Sequence, residues 1–210
     1  MDSDSRKLAK TFCDLCNQAY MCWITHKTLF DNNPDTKIMD LIAPYFHRHL
    51  LSISQAHSYL QICKLHDPAK TANSYNLSIS YIINKITWND QGKLDSSKRL
   101  AEKLEKLNSC INPVRNKIIA HNDRDILLQD DPLGAFPAGI DEEYFQCLQE
   151  FVNQVHGEFV GGPYPFSECV INYANEYLSF LKHSDLANRR LNPPASRSRP
   201  DRREPGCLRA

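Results

Sequence analysis

An arginine and a histidine six residues apart, Arg115 and His121, form the pair best suited to chemistry in this chain. An arginine side chain binds phosphate through a charged, forked set of N–H donors. Histidine is the side chain whose ordinary pKa lets it move a proton near neutral pH. Asn116 and Lys117 follow the arginine directly and supply an amide and a second cation. Together these groups can cleave a phosphodiester without a metal ion.

The reaction that these residue types suggest uses a ribose 2′-hydroxyl as the nucleophile, which would restrict it to RNA. His121 removes or positions the hydroxyl proton, and Arg115 stabilises the charge that develops on the non-bridging phosphate oxygens. Asn116 orients the phosphate or the arginine, and Asp123 either fixes the imidazole tautomer or is simply solvated. The structural alternative is an arginine paired with a carboxylate and a histidine that caps a helix end.

The dipeptide Asn112-Pro113 predicts a helix that starts just before the motif, because proline is favoured at the first helical position. Arg115 then lies in the first turn, and His121 lies about 9 Å further along the axis. Six residues at 100° each leave the two side chains about 120° apart around the helix. A site shared across a two-fold axis brings both groups to one phosphate more simply than a single helix does. The motif therefore favours a homodimer.

A locally basic stretch contains the motif. Between residues 93 and 124, eight Lys or Arg stand against four Asp or Glu. RNA capture requires positive potential, so we predict that Lys106, Lys117 and Arg124 contact the RNA backbone. The alternative is a solvated helix face without a ligand.

The helices that must position these residues are predicted from apolar residues spaced by three and four. Two long antiparallel helices are expected over residues 5–31 and 36–66, and Pro44 should kink the second or mark its true start. Shorter helices are expected over residues 77–88, 95–109, 141–159 and 167–183. No segment alternates with period two for long, so we predict an all-α helical bundle over residues 1–187.

The predicted inward faces follow from the same spacing. They are Leu8, Phe12, Leu15, Ala19, Cys22, His26 and Leu29 in the first helix; Ile38, Ile42, Tyr45, His49, Ile53, Ala56, Leu60 and Cys63 in the second; Leu100, Leu104 and Leu107 in the fourth; and Val170, Tyr173, Tyr177 and Leu181 in the last. Asn76 or Ser78, Asp141 and Ser167 are the expected helix caps.

The formal net charge of zero hides an uneven distribution. Residues 188–210 contain seven Arg, one Asp and one Glu, about +5, which leaves about −5 on the rest of the chain. With almost no large apolar residues, this tail cannot offset its ordering entropy, and we expect it to be disordered. It can contact RNA or bind an acidic partner.

Neither a secretory signal nor an apolar run near the ~20 residues of a membrane span is visible, so we expect a cytoplasmic protein without membrane association. Its cysteines should then be reduced. Cys13, Cys16 and Cys22 resemble half a zinc site, but they lie in a helical stretch and no second pair has suitable spacing. We predict core packing for them, and neither a metal nor a cofactor.

The motif and the helical layout together resemble the HEPN domain family, whose signature is Arg, a polar residue, a few spacers and His. The string RNKIIAH fits that signature, and Asn122-Asp123 matches its frequent continuation. Residues 65–68 and 76–79 further resemble the AbiU-type abortive-infection branch, and the layout matches over roughly residues 5–180.

This resemblance implies a dimer with two facing motifs and, frequently, a metal-independent endoribonuclease. It also implies a role in defence or as a toxin, with an antitoxin or a nucleotidyltransferase as a partner. Because many family members lack catalysis, two alternatives stay open. One is a non-catalytic module that binds nucleotide, RNA or a protein, and the other is a helical interaction protein with a purely structural motif.

Overall fold

Helices dominate the structure, a computed structural model that describes residues 3–31, 33, 35–109 and 139–191. The described helices are α1 (Ser3–Phe30), α2 (Thr36–Ile42), α3 (Pro44–Leu65), α4 (Ile79–Lys85), α5 (Gln91–Asn108), α6 (Ile140–Phe159) and α7 (Cys169–Leu191). The predicted all-α class is thus confirmed. A short antiparallel hairpin, β1 (Lys70–Thr71) and β2 (Ser74–Tyr75), lies where the sequence predicts only a polar loop.

The second predicted long helix is two helices. Ala43 leaves the helical region with φ −152° and ψ 72°, and Pro44 begins α3. A proline disfavours the helical conformation at the residue before it and is tolerated in the first turn. Of the two outcomes expected for Pro44, a kink or a true start, the structure has the true start.

Helices α1 and α3 run antiparallel, as predicted. Near one end of the pair, the imidazole Nδ1 of His26 lies 2.8 Å from the hydroxyl oxygen of Ser54. Further back along α1, Tyr20 packs on Phe145 of α6 at 5.6 Å, and the neighbouring Tyr144 contacts His66 just beyond the end of α3 at 2.9 Å. The end of α1 thus lies beside the middle of α3, and an earlier part of α1 lies toward the end of α3.

Helix α6 lies at the centre of the core. Its ring of Phe151 packs edge-on against Phe12 of α1 with centroids 5.9 Å apart, and Phe145 stacks on Trp23 at 4.4 Å. Eight of its side chains are buried: Tyr144, Phe145, Cys147, Leu148, Phe151, Val152, Val155 and Phe159. This long apolar face holds α1 and α5 on either side of α6.

The buried face of α1 is rotated from the predicted stripe. Phe12, Ala19 and His26 are buried as expected, but Leu15 is 41% exposed and Cys22 is only half-buried. The buried set is Ala9, Phe12, Cys13, Cys16, Ala19, Trp23 and His26. Since α1 contacts α3, α6 and α7, its buried surface is wider than one stripe of spacing three and four.

The predicted face of α3 is wrong over most of its length. Tyr45 is 86% exposed and Ile53 is 50% exposed, whereas His47 and Ser58 are buried. Hydrogen bonds offset the cost of removing these two polar residues from water. His47 lies 2.7 Å from the carbonyl of Met39, and the Ser58 hydroxyl donates to the Ser54 carbonyl at 2.8 Å.

The last helix is also rotated and is longer than predicted. Its buried residues include Ala174, Leu178 and Leu181, while Tyr173 is exposed. It continues to Leu191, beyond residue 187 at which the sequence ends the helical domain. The remainder of the predicted disordered tail, residues 192–210, lies outside the described residues.

Helices α4 and α5 begin at capped residues. The hydroxyl of Ser78 accepts from the backbone N–H of Tyr81, which confirms the second of the two caps expected for α4. The carboxylate of Asp90 accepts from the N–H groups of Gly92 and Lys93 at 2.8 and 3.1 Å. A capping carboxylate favours a helix start, so α5 begins four residues before its predicted position.

The predicted core packing is confirmed for Cys13 and Cys16 of α1, whereas Cys22 is half-buried. Cys13 and Cys16 are fully buried among apolar side chains, and burial raises the pKa of the Cys13 thiol to about 12. Cys169, at the start of α7, is exposed. No helix within the described residues combines the length and apolarity that crossing a bilayer requires.

Replacing Phe12 with alanine should lower the free energy of unfolding by about 3–5 kcal/mol, because it leaves a cavity against Phe151 in a closed core. Leu15→Ala removes a side chain of the same predicted stripe that is largely solvated, and it should cost less than about 1 kcal/mol. Urea unfolding followed by circular dichroism measures both. Equal losses would contradict the observed face of α1.

Candidate functional site

The predicted site residues fall mainly in the connection between α5 and α6. Arg115, Asn116, Lys117, His121 and Arg124 lie outside the described residues. Of the predicted RNA contacts, Lys106 is described, and it is exposed in the last turn of α5. The described residues include the two helices that flank the motif in the sequence, α5 and α6.

Both ends of this connection lie at the same end of the bundle, because α5 and α6 pack antiparallel. Lys103 of α5 pairs with Glu143 at 2.9 Å, and Lys93, at the other end of α5, pairs with Glu158 at 3.1 Å. Ser109 and Gly139, the described residues that flank the motif-bearing connection, are therefore held on one side of the molecule.

The basic side chains of α5 are partly neutralised. Lys93, Lys98 and Lys103 each lie within 4 Å of a carboxylate oxygen. Within the described part of the chain, Arg99 and Lys106 are exposed and form no ion pair. The positive surface of α5 that is available to RNA is thus smaller than the sequence count indicates, and it includes the predicted contact Lys106.

The start of α6 is anchored to α1 by charge and by an aromatic ring. Asp141 accepts from the indole N–H of Trp23 at 3.0 Å and from the ammonium of Lys27 at 3.1 Å, and Lys27 also pairs with Glu142. Burial raises the pKa of Asp141, but hydrogen bonds with Glu142, Lys27 and Trp23 outweigh burial and lower it. Asp141 is therefore ionised at neutral pH.

Asp141 is not the cap that the sequence predicts. Gly139 occupies the cap position with φ 83°, a left-handed conformation that favours glycine. Asp141 lies in the first turn instead, where a negative charge stabilises the helix through its dipole. The lysine contact from α1 then fixes the place at which the chain re-enters the bundle after the motif.

Three hydrogen-bonded side chains that the sequence does not predict, His66, Glu105 and Tyr144, connect the end of α3 with α5 and α6. The ring nitrogens of His66 contact a carboxylate oxygen of Glu105 and the hydroxyl of Tyr144, each at 2.9 Å. Burial lowers the pKa of His66 more than Glu105 and Asp67 raise it, so the imidazole is neutral near pH 7. Because a carboxylate only accepts, Nδ1–H donates to Glu105, and Nε2 accepts from Tyr144.

With these two hydrogen bonds, His66 connects helices and is poorly placed to act as a general acid or base. Both ring nitrogens are already bonded, so it cannot take a proton from a substrate without losing a partner. It joins the end of α3 to α5 and α6. Its partners lie 39 and 78 residues further along the chain, and no local spacing in the sequence indicates such distant contacts.

A cavity of about 360 Å³ opens beside His66. Its walls mix apolar, amide, hydroxyl and charged side chains: His66, Ile79, Ser80, Ile83, Asn84, Lys98, Ala101, Glu102 and Glu105. Within the described residues, no group of three or more His, Cys, Asp and Glu is placed to hold a metal ion.

His66 should make the stability of the protein pH-dependent. Its folded pKa lies below the ordinary value near 6.5, so the unfolded chain binds the proton more readily. The stabilising contribution is complete above about pH 6.5 and is lost as the pH falls below it, by at most about 1.4 kcal/mol per unit. Urea unfolding at pH 7.5 and 5.5 should show a smaller difference in His66→Gln than in the wild type.

The exposed His57 supplies the control for this experiment. His57→Gln should retain the wild-type difference between the two pH values, because the side chain of His57 is exposed and lies outside the contacts of His66. An unchanged difference in His66→Gln would refute the assignment of the acid sensitivity to His66.

Comparison with known families agrees with this geometry. The family model for the HEPN domain AbiU2 matches residues 5–180, which is most of the chain and includes both the described bundle and the Arg115–His121 motif. No curated protein and no solved structure matches the chain. The match and the all-helical bundle confirm the resemblance drawn from the sequence: the chain belongs to the AbiU2 family of HEPN domains.

Proposed function

We propose that this protein is a metal-independent endoribonuclease that cleaves RNA at a site built from Arg115 and His121 of two subunits. The observation that carries the proposal is the Arg-Asn-x4-His motif in a chain that belongs to a HEPN family. The antiparallel packing of α5 and α6 supports it, because this packing holds both flanks of the motif at one end of the bundle.

The chemistry follows from the two side chains. His121 takes the proton from a ribose 2′-hydroxyl, and the oxygen forms a new bond to the adjacent phosphorus. The bond from phosphorus to the 5′ oxygen breaks, and this oxygen leaves with a proton from solvent or from an imidazolium. The products are a 2′,3′-cyclic phosphate and a free 5′-hydroxyl, so no water is consumed in this step and no redox change occurs.

Arg115 and Asn116 complete the site. The guanidinium contacts two non-bridging oxygens and stabilises the charge that grows on them as the phosphorus becomes five-coordinate. Asn116 orients the phosphate or the arginine. Because Arg115 and His121 stand about 120° apart on an ideal helix, one phosphate is reached most simply by the arginine of one subunit and the histidine of the other.

RNA capture is assigned to Lys106, Lys117 and Arg124. Lys106 supports this assignment from the described part, since it is exposed and without an ion pair at the end of α5 that leads into the motif. A ribonuclease of this kind acts in abortive infection or as a toxin, with an antitoxin or a nucleotidyltransferase as the neutralising partner.

The first test is cleavage of RNA in the presence of EDTA. Wild-type protein should cut it and leave 2′,3′-cyclic phosphate ends, and His121→Ala should be slower by roughly 10²–10⁴ because a general base is lost. Substituting 2′-deoxyribose at the cleaved position should block the reaction. His57→Ala, which removes an exposed histidine elsewhere, should cut at the wild-type rate.

Two results would contradict the proposed role of His121 or the proposed activity. Equal cleavage by wild type and His121→Ala would exclude His121 from the mechanism. Retention of RNA in a gel-shift assay without cleavage would favour the non-catalytic binding module.

A second test concerns the geometry of the cation. Arg115→Lys should lose most activity even though the charge is kept, because lysine lacks the planar fork that contacts two phosphate oxygens at once. Arg99→Lys, at an exposed arginine of α5, is the matched control and should remain active. Full activity of Arg115→Lys would contradict the role of Arg115 as a phosphate clamp.

A further inference from the structure

A groove of about 610 Å³ opens between α1, α6 and the connection from α6 to α7. It shares no lining residue with the cavity beside His66. Five of its lining residues belong to α6, and their spacing of three, one, three and one places them on one side of that helix. Ligand pockets in proteins typically measure about 300–1,000 Å³, so the groove is large enough for a specific ligand.

One wall of the groove is a row of four aromatic rings. Trp23 stacks on Phe145 with ring centroids 4.4 Å apart, and Tyr20 lies edge-on to Phe145 at 5.6 Å. Phe166 continues the row, stacked on Tyr20 at 5.0 Å. Tyr20 and Phe166 are only partly buried, so part of each ring can contact a ligand. The face of an aromatic ring carries negative potential and attracts a cation.

Three carboxylates line the same groove, those of Glu142, Glu150 and Glu168. None of the described residues that line it is Lys, Arg or His. Helix α6, which supplies half of the lining, contains five Asp or Glu and neither Lys nor Arg. The groove is therefore negative, and its charge is complementary to that of a cation.

The fold already holds one cation by this combination of ring and carboxylate. The ammonium of Lys27 lies 5.0 Å from the centre of the Trp23 ring and pairs with the carboxylates of Asp141 and Glu142. Because Lys27 neutralises part of the charge of Glu142, the attraction for a ligand falls mainly to the other two carboxylates of the groove. Both of these carboxylates belong to exposed residues, Glu150 and Glu168.

An arginine fits the groove better than a lysine or a metal ion. Its planar guanidinium can stack on a ring and bind a carboxylate through two N–H groups at once. Ring and carboxylate lie together here, since the Tyr20 hydroxyl donates to Glu168 at 3.5 Å and Tyr20 stacks on Phe166. Within the described residues, no group of three or more His, Cys, Asp and Glu could hold a metal ion.

The length of the groove indicates a segment of chain and not a single small cation. Its lining on α6 runs from Glu142 to Glu150, about 12 Å at 1.5 Å per residue. An extended chain rises about 3.3 Å per residue, so about four residues span this length. Midway, the exposed amide of Gln146 can donate to a peptide carbonyl and accept from a peptide N–H.

The sign of the charge and the position of α7 decide between partners. RNA phosphates require positive potential, so a negative groove disfavours RNA. Seven of the chain's own arginines lie at the far end of α7 or beyond it. Helix α7 starts directly after Glu168, and its 23 residues separate these arginines from the groove by about 33 Å. A basic segment of a different protein meets neither obstacle.

We infer that the groove binds an extended, arginine-containing segment of another protein. The guanidinium contacts the rings of Phe166 and Tyr20 and pairs with Glu168, while Glu150 attracts the positive charge of the segment from α6. This contact goes beyond the proposed ribonuclease function and does not depend on it, because every residue named for it lies in the described bundle.

The test is the binding of a fluorescein-labelled peptide to the full-length protein, measured by fluorescence anisotropy. The peptide has nine residues, all glycine and serine except for two arginines four positions apart, which an extended chain separates by about 13 Å. Wild-type protein should bind it at least about tenfold more tightly than the same peptide with citrulline, which keeps the shape of arginine without the charge.

Removal of the two exposed carboxylates should weaken this binding. Glu150→Gln/Glu168→Gln should raise the dissociation constant at least about tenfold, because charge-assisted contacts are lost. Asp40→Asn/Glu176→Gln removes two exposed carboxylates that lie outside the groove, and it should bind the peptide as the wild type does. Equal binding of the arginine and citrulline peptides, or unchanged binding by Glu150→Gln/Glu168→Gln, would overturn the inference.

A second variant, Phe166→Leu, gives a readout that a folding defect would not imitate. Wild-type protein should prefer the arginine peptide to the same peptide with lysine, because lysine lacks the planar group. In Phe166→Leu the ratio of the two affinities should fall toward one, because leucine keeps the apolar contact without the ring. Thermal unfolding followed by circular dichroism checks that each variant is folded. A ratio that stays at the wild-type value would contradict the role of the ring.

Two further outcomes would assign the groove to another occupant and overturn the inference. Weaker retention of RNA by Phe166→Leu in a gel-shift assay would make RNA the ligand. Peptide binding that appears only after replacement of the arginines of the last residues with serine would make the chain's own tail the ligand. The replaced residues are Arg197, Arg199, Arg202, Arg203 and Arg209. Peptide binding by a protein that cuts no RNA would support the inference and remove only the proposed activity.

Discussion

The packing of α6 is the constraint on which the rest of the bundle depends. Its buried face contacts α1 and α5, and both of its ends are fixed by charge. At the start, Asp141 binds Lys27 and Trp23, and near the end Glu158 binds Lys93 and accepts from the N–H groups of Asn89 and Asp90. Desolvation raises the pKa of Glu158, but these donors outweigh it and lower the pKa. The carboxylate is therefore charged although its side chain is almost fully buried. These contacts hold the end of α6 against the start of α5, and removal of one partner would leave the charge of Glu158 less well compensated.

The sequence predicts the number and type of helices well because helix boundaries are local. Pro44, Ser78 and the Asn89-Asp90 pair stop or start helices through their own backbone and side-chain chemistry. The faces of the helices are less predictable, since they depend on contacts between distant segments. His47 and Ser58 are buried because specific partners satisfy their polar atoms, and the predicted apolar positions Tyr45 and Tyr173 remain outside.

The candidate site also has one part that the local sequence predicts and one part that it does not. Arg115 and His121 can be proposed from residue type and spacing, because their relation is contained in seven consecutive residues. The hydrogen bonds of His66 with Glu105 and Tyr144 connect the end of α3 with α5 and α6, and the local sequence of these helices does not indicate them. Tyr173 and Tyr177 of α7, which the spacing predicts as buried, are exposed for a related reason. Helical spacing identifies an apolar stripe, but it does not show whether the rest of the chain covers that stripe.

The distribution of histidines supports the choice of catalytic base. Within the described part of the chain, His26 and His47 are buried and the side chain of His66 is little exposed, and each is bonded through its ring: His26 to Ser54, His47 to Met39 and Tyr177, and His66 to Glu105 and Tyr144. Imidazoles held in this way stabilise helix contacts and are poorly suited to exchange protons with a substrate. A general base needs a free ring nitrogen and a cation close to the phosphate that it serves. His121, the proposed base, is the histidine that follows an arginine at the motif spacing, and α5 and α6 hold the flanks of its connection at one end of the bundle.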